Sequence, residues 1–212
     1  VNPSYLGGST DGFVIKLTAP TYNNPKATYL GTDEYDQAYF VQLDQDDKVY
    51  VYGQTEGTYP VSGAQYSVAN SGQFIHKMNS DLTSTEWSSV FGAGSGHVEI
   101  SPTAFLVSDC YEIYIAGWGG ETNQSGSAGN STTNGFPVTD DAYQSETSGS
   151  NFYLALFTQD MLTLKYATFM GSLNGSNDHV DGGTSRFDKS GKVYHAVCAA
   201  CGGNANGFPT TA

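Results

Sequence analysis

Basic residues are scarce in this sequence: 8 Lys and Arg stand against 21 Asp and Glu, for a formal net charge of −13. A field of that sign repels phosphate backbones and anionic headgroups, so nucleic acid and membrane surfaces are not expected partners. Long apolar runs are missing too. None approaches the ~20 residues of a spanning helix, and no helical membrane insertion is expected. Charged residues make up only 14% and helix formers are few, whereas Gly reaches 26 residues and Ser, Thr and Asn are frequent, a composition of turn-rich β structure. With 38% hydrophobic residues, 15 Tyr and 11 Phe, the 212-residue chain can still bury a core. It starts at Val1 with neither Met nor a charged-then-apolar leader, which reads as a mature or internal segment of something longer.

Signatures of catalysis are equally hard to find. There is no GxSxG elbow, no Gly-rich phosphate cradle followed by Lys-Ser/Thr, and no HExxH spacing. Paired carboxylates for glycoside cleavage remain open on sequence, because their separation is a three-dimensional quantity. Asn-x-Ser/Thr sequons at Asn123, Asn130 and Asn174 read as chance in loops this rich in Asn, Gly and Ser.

What the sequence does contain is one word order written three times. Each copy opens with an aromatic-led apolar run: Phe13 to Leu17, Phe74 to Met78, and Phe152 to Leu156, each preceded by a Tyr at Tyr5, Tyr66 or Tyr143. The second word ends in glycine at Gly31, Gly92 and Gly171, where a turn with positive φ is expected. The third closes on a polar turn: Tyr39 to Asp44, Ala104 to Ser108, and Ser185 to Asp188. The fourth alternates as a strand does: Val49 to Tyr52, Ile113 to Ala116, and Val193 to Ala196. An aromatic-Pro pair then closes each copy, Tyr59-Pro60, Phe136-Pro137 and Phe208-Pro209, with proline ending the ladder. Four strands joined by short turns make the antiparallel unit of a propeller blade. The expected fold is therefore all-β, a β-propeller segment of three four-stranded antiparallel blades, at 1–65, 66–142 and 143–212, within a larger propeller. A low-complexity insertion from Gly119 to Gly135 is expected to be mobile and solvent-facing.

The words Asp11-Gly12-Phe13 through Lys16-Leu17, Thr28-Tyr29-Leu30-Gly31, Val49-Tyr50-Val51 with Gly53, and Phe208-Pro209-Thr210-Thr211 resemble the bacterial SBBP-type β-propeller repeat. The third copy, His179 to Asp188 followed by Val193 to Gly203, resembles blades of very large Bacteroidetes cell-surface proteins that carry PKD domains and a gliding-motility-type sorting domain. The second copy departs from the pattern at Ser108-Asp109-Cys110-Tyr111, where an Asp-rich or Asp-Gly turn is usual. The resemblance implies type IX secretion and display at the cell surface, with further blades of the same polypeptide and a protein or glycan as partners.

Three candidate sites follow. A carboxylate recurs after the second word at Asp36, Glu99 and Asp181; in a propeller such equivalents form a ring at the channel, a hard-oxygen site for calcium. The competing reading is that these acids cap and solubilise loops, or bond neighbouring backbone N–H groups across blades. His97 and His179 align, but zinc needs three or four converging ligands, and hydrogen bonding across a blade interface is the plainer role. Cys198-x-x-Cys201 lacks both the helix of a thioredoxin-like motif and the second cysteine pair of a zinc ribbon. In the exported protein that the resemblance implies, a disulfide is expected, either between Cys198 and Cys201 or to a cysteine of another blade, with Cys110 a lone turn residue. The functional expectation is a non-catalytic structural or interaction module, adhesin-like or gliding-associated. The rival is part of a propeller enzyme, such as a polysaccharide lyase or glycosidase.

Overall fold

All four words of a copy carry apolar residues, so word order by itself leaves open which strands become central. In the computed structural model, which describes residues 1–120, 126–174, 177–180, 185–201 and 207–210, the chain forms antiparallel sheets of two to four strands. The strands are β1 (Gly12–Lys16), β2 (Lys26–Leu30), β3 (Asp36–Leu43), β4 (Val49–Thr55), β5 (Gln73–Met78), β6 (Thr85–Phe91), β7 (Ser101–Val107), β8 (Ile113–Trp118), β9 (Phe152–Phe157), β10 (Leu164–Met170), β11 (Asn177–His179), β12 (Ser185–Phe187), β13 (Val193–His195) and β14 (Cys198–Cys201). Two short 3-10 turns, Gly126–Ala128 and Gln159–Met161, are the helical elements among the described residues.

The pairing corrects the expected grouping of four words of one copy into one sheet. The two four-stranded sheets run β3-β4-β5-β6 and β10-β9-β8-β7, so each joins the third and fourth words of one copy to the first and second words of the next. The boundaries at 65/66 and 142/143 fall inside these sheets, between β4 and β5 and between β8 and β9. The reason is burial. Every residue of β4 and β5 is buried, as a strand covered on both faces requires, whereas β3 beyond Asp36 alternates half-buried and exposed as an edge strand can. Half-sheets remain at either end of the repeat series: among the described residues β1 pairs only with β2, and β12 with β13, while β11 pairs with β14.

Register also corrects the alignment of the third copy by one residue. Phe74 faces Val90 across β5 and β6, and the matching pair across β9 and β10 is Tyr153 with Phe169, so Tyr153 rather than Phe152 is the counterpart of Phe74. The aromatic of each Pro pair packs on that ring: Tyr59 stacks on Phe74 at 4.1 Å and Phe136 meets Tyr153 at 4.7 Å.

The turn between third and fourth words has one mechanism in all three copies. Asp44 Oδ1 accepts from the N–H groups of Asp46 and Lys48, Ser108 Oγ from Cys110 and Glu112, and Asp188 Oδ1 from Ser190 and Lys192. The fourth turn residue is left-handed each time, at Asp47, Tyr111 and Gly191. The departure at Ser108 to Tyr111 therefore keeps the turn, with a hydroxyl in place of the carboxylate.

Between the two four-stranded sheets lies the larger core. Tyr52 packs on Phe105 and Phe91 on Phe157, with Ile75, Ile115 and Tyr153 in the same cluster. Each such side chain contributes about 1.5–3 kcal/mol by leaving water. Of the aromatics that open the first words and the apolar residues two before each second-word glycine, Phe74, Phe152, Val90 and Phe169 are buried, whereas Phe13 is 49% exposed and Tyr29 half-buried. Those two sit on the half-sheet β1-β2, which has no inner strands to cover it. β3 lies against β7, and β7 against β12.

The insertion is only partly what composition suggests. Residues 121–125 lie outside the described ones, and Gly126, Gly129 and Asn130 are exposed. Its far end is anchored: Ser131 and Thr133 are fully buried, Thr132 N–H and Ser131 Oγ both donate to the Glu99 carbonyl, and Thr133 bonds Thr147. Small hydroxyl side chains find backbone acceptors here, which a count of polar residues does not reveal.

Candidate functional site

The recurring acid sits directly behind the glycine that ends each second word. After Leu30, Phe91 and Met170 the chain leaves its sheet at Gly31, Gly92 and Gly171, and the next N–H points back at a buried carboxylate. Asp36 Oδ2 accepts from Thr32 N–H at 2.6 Å and Thr32 Oγ1 at 2.8 Å. Glu99 Oε1 accepts from Ala93 and Ser95 N–H, both at 3.0 Å. Asp178 Oδ2 accepts from Ser172 N–H at 3.0 Å and Asn151 Nδ2 at 3.1 Å. All three residues are essentially inaccessible to solvent.

This arrangement explains the glycines. A Cβ built on Gly92 would lie 1.9 Å from Glu99 Oε2, one on Gly171 2.3 Å from Asp178 Oδ2, and one on Gly31 2.9 Å from Asp36 Oδ2. Glycine is needed for close approach of the acid, and at Gly92 and Gly171 also for φ near 150°. Burial pushes the Asp36 and Glu99 carboxyls above their usual range, while the hydrogen bonds they accept pull the other way.

The third acid is therefore Asp178, where the sequence reading put Asp181, which lies outside the described residues. A signal was present: Gly92 to Glu99 and Gly171 to Asp178 are both steps of seven residues. Asp36 and Glu99 are held by separate loops. Among the described residues no three His, Cys, Asp or Glu side chains gather as metal ligands.

His97 and His179 do not share one environment. His97 Nδ1 lies 3.3 Å from Glu56 Oε2, and Glu56 Oε1 accepts from Val98 N–H at 3.0 Å, so Glu56, just past β4, ties the first four-stranded sheet to the segment entering β7. The ring of His179 lies 5.9 Å from that of Trp118. Cys198 is disulfide-bonded and Cys110 is free and exposed. The CxxC segment is strand β14, with Cys198 opposite His179 on β11.

Above Glu56 opens a cleft of about 580 Å³ whose rim includes Asp33, Glu34, Thr58, Asn70 and Ser71. Its polar side chains are carboxylates, hydroxyls and an amide, groups that bond hydroxyl-rich or donor-rich ligands. Sequence reasoning missed it because Asp33 and Glu34 come from the loop before β3 whereas Asn70 and Ser71 come from the loop before β5.

No protein-family model matches this chain, and no curated protein does.

Proposed function

We propose that this chain is a β-propeller segment serving as a non-catalytic interaction module of an exported, surface-displayed bacterial protein, adhesin-like or gliding-associated. The propeller reading draws on meander sheets whose third-word strands β3, β7 and β12 lie one against the next, the relation that blade strands have around a common axis. The single observation that carries the non-catalytic reading is the use of the repeated acids. Asp36, Glu99 and Asp178 are each buried with one oxygen accepting from a loop backbone N–H, so the most conspicuous carboxylates hold loops in place rather than face a substrate. Ligand contact then falls to the loops that differ between copies, foremost the acidic cleft beside Glu56. A glycan suits that rim, since neutral hydroxyls donate to carboxylates without fighting the net charge of −13.

Titration of the folded chain with neutral cell-surface polysaccharides tests this reading. Saturable binding is expected, weakened about tenfold in an Asp33→Asn, Glu34→Gln variant, the loss of one or two hydrogen bonds. No new reducing ends or unsaturated uronic products should form. Product release, or binding indifferent to the variant, overturns it.

A further inference from the structure

Behind the glycines that close the second words, the first copy differs from the other two. In the third copy Asn151, one residue before the cross-strand pair Phe152 and Met170, turns its Nδ2 to the buried Asp178 carboxylate at 3.1 Å. A Cβ on Gly171 would lie 2.4 Å from that nitrogen and 2.3 Å from Asp178 Oδ2. In the second copy the neutral amide of Gln73 stands beside Glu99: a Cβ on Gly92 would lie 3.0 Å from Gln73 Oε1 and 1.9 Å from Glu99 Oε2. Asp11 holds the place of Asn151, one residue before the pair Gly12 and Leu30, and a Cβ on Gly31 would lie 2.9 Å from both Asp11 Oδ1 and Asp36 Oδ2. Acid meets acid where the other copies set an acid against an amide.

The acid pair is short of positive partners. Asp36 is fully buried, and both Asp11 Oδ1 and Asp36 Oδ1 are shielded from water without a hydrogen-bond donor among the described residues. The remaining oxygens are used: Asp11 Oδ2 accepts from Leu6 N–H at 2.5 Å, and Asp36 Oδ2 from Thr32. Thr55 Oγ1 lies beside the Asp36 carboxyl but donates to the Gly57 carbonyl at 3.4 Å. None of the ion pairs among the described residues involves either acid. Buried anionic oxygens without a donor are costly unless a counter-charge lies with them.

We propose that Asp11 and Asp36 together hold a divalent cation of the calcium type, within one copy of the repeat rather than in a ring of acids from three. The donors are oxygens alone, which suits a hard cation and not zinc, and two carboxylates balance a double charge. Calcium accepts irregular sets of ~6 to 8 oxygens, so the Thr55 hydroxyl and water complete a shell for which magnesium demands a near-ideal octahedron. The net charge of −13 raises the local concentration of cations. The third copy is the cation-free form of the same device, with Asn151 supplying the donor that an ionised Asp11 lacks. Two loops hang on the pair. Asp11 holds Leu6, Asp36 N–H donates to the Thr10 carbonyl at 2.8 Å, and Thr32 Oγ1, bound to Asp36, accepts from Glu34 N–H at 3.1 Å. Asp33 and Glu34 of the second loop stand on the rim of the cleft beside Glu56, so the cation also sets that rim. Control of the rim rests on the interaction reading above; the cation site does not.

The test titrates calcium chloride calorimetrically into the unsubstituted chain, first stripped with EDTA, and into an Asp11→Asn variant, whose amide repeats the contact of Asn151 with Asp178 and so keeps the fold. The unsubstituted chain should bind one calcium with a Kd of about 0.1–1 mM, the range of extracellular calcium modules. It should melt about 3–6 °C higher at tenfold excess over that Kd, with no such rise in sodium chloride of equal ionic strength. Asp11→Asn should bind at least about tenfold more weakly and melt at the same temperature with calcium or EDTA. Binding that Asp11→Asn leaves unaltered puts the ion elsewhere and overturns the proposal. No binding by the unsubstituted chain overturns it as well, in favour of a proton shared by the two acids. The polysaccharide titration, repeated in calcium and in EDTA, separates the site from the interaction reading: affinity should fall about tenfold in EDTA. Equal affinity overturns control of the rim, and absence of polysaccharide binding in both overturns the interaction reading while calcium binding still stands or falls on Asp11→Asn.

Discussion

The same sequence words behave differently in the four-stranded sheets and in the half-sheets. Phe74 on β5 is wholly buried while Phe13, the same word on β1, is 49% exposed. Phe105 on β7 is 5% exposed while Val41, its counterpart on β3, is 57% exposed. Nothing intrinsic to these residues differs enough to cause this; the neighbouring strands do. Burial in a repeat protein belongs to the interface between copies, so a copy at either end of the series shows what each interior copy receives from its neighbour.

The largest expected contrast comes from truncating matched positions. Phe105→Ala should cost about 3–5 kcal/mol and Val41→Ala under about 0.5 in urea denaturation of dilute, monomeric chain, because only the first leaves a cavity. Equal losses would break the comparison.

Next in size is an acid-dependent loss in the first four-stranded sheet. His76 is buried between the Tyr59 hydroxyl and Thr85 Oγ1, each at 2.8 Å, and burial lowers it to about 4. Unfolded chain binds the proton below its ordinary value near 6.5 and folded chain only below about 4, so stability is present above 6.5 and is lost as pH falls toward 4. The loss approaches about 3 kcal/mol at 1.36 kcal/mol per unit, and His76→Gln should flatten it in pH-dependent denaturation. The raised carboxyls of Asp36 and Glu99 act with the opposite sign, stabilising relatively as pH falls through their range.

Much of this was legible in advance. The all-β class, the antiparallel strands and the word positions follow from periodicity and glycine placement, because alternation and turn chemistry are local. The sheet phase was not, since word order is the same whether a sheet begins at the first word or the third; only the two-sided burial of β4 and β5 breaks that tie. At the site, Asp36 and Glu99 were identifiable and Asp178 was displaced by three residues, because carboxylates are dense from Asp178 to Asp181 and only the spacing from Gly171 distinguishes them. The cleft rim was invisible because two distant loops build it.

A smaller effect tests the acid device itself. Glu99→Ala strands the N–H groups of Ala93 and Ser95 and should cost about 1–3 kcal/mol, whereas Glu99→Gln keeps an acceptor without a buried charge and should cost under about 1 kcal/mol. Thermal melts at neutral pH separate the two. Smallest is the turn comparison: Tyr111 holds φ of 61° where the third copy has Gly191, so Tyr111→Gly should gain about 0.5–1 kcal/mol by releasing strain, read as a shift in the urea midpoint.

Hydrogen exchange of the chain bears most directly on the claim that sheets are assembled from halves given by successive copies of the repeat. Amides of β4, β5, β8 and β9 should be protected, while those of β1 and β13 exchange about 100-fold faster. Protection of β1 and β13 equal to that of β5 and β4 would contradict it.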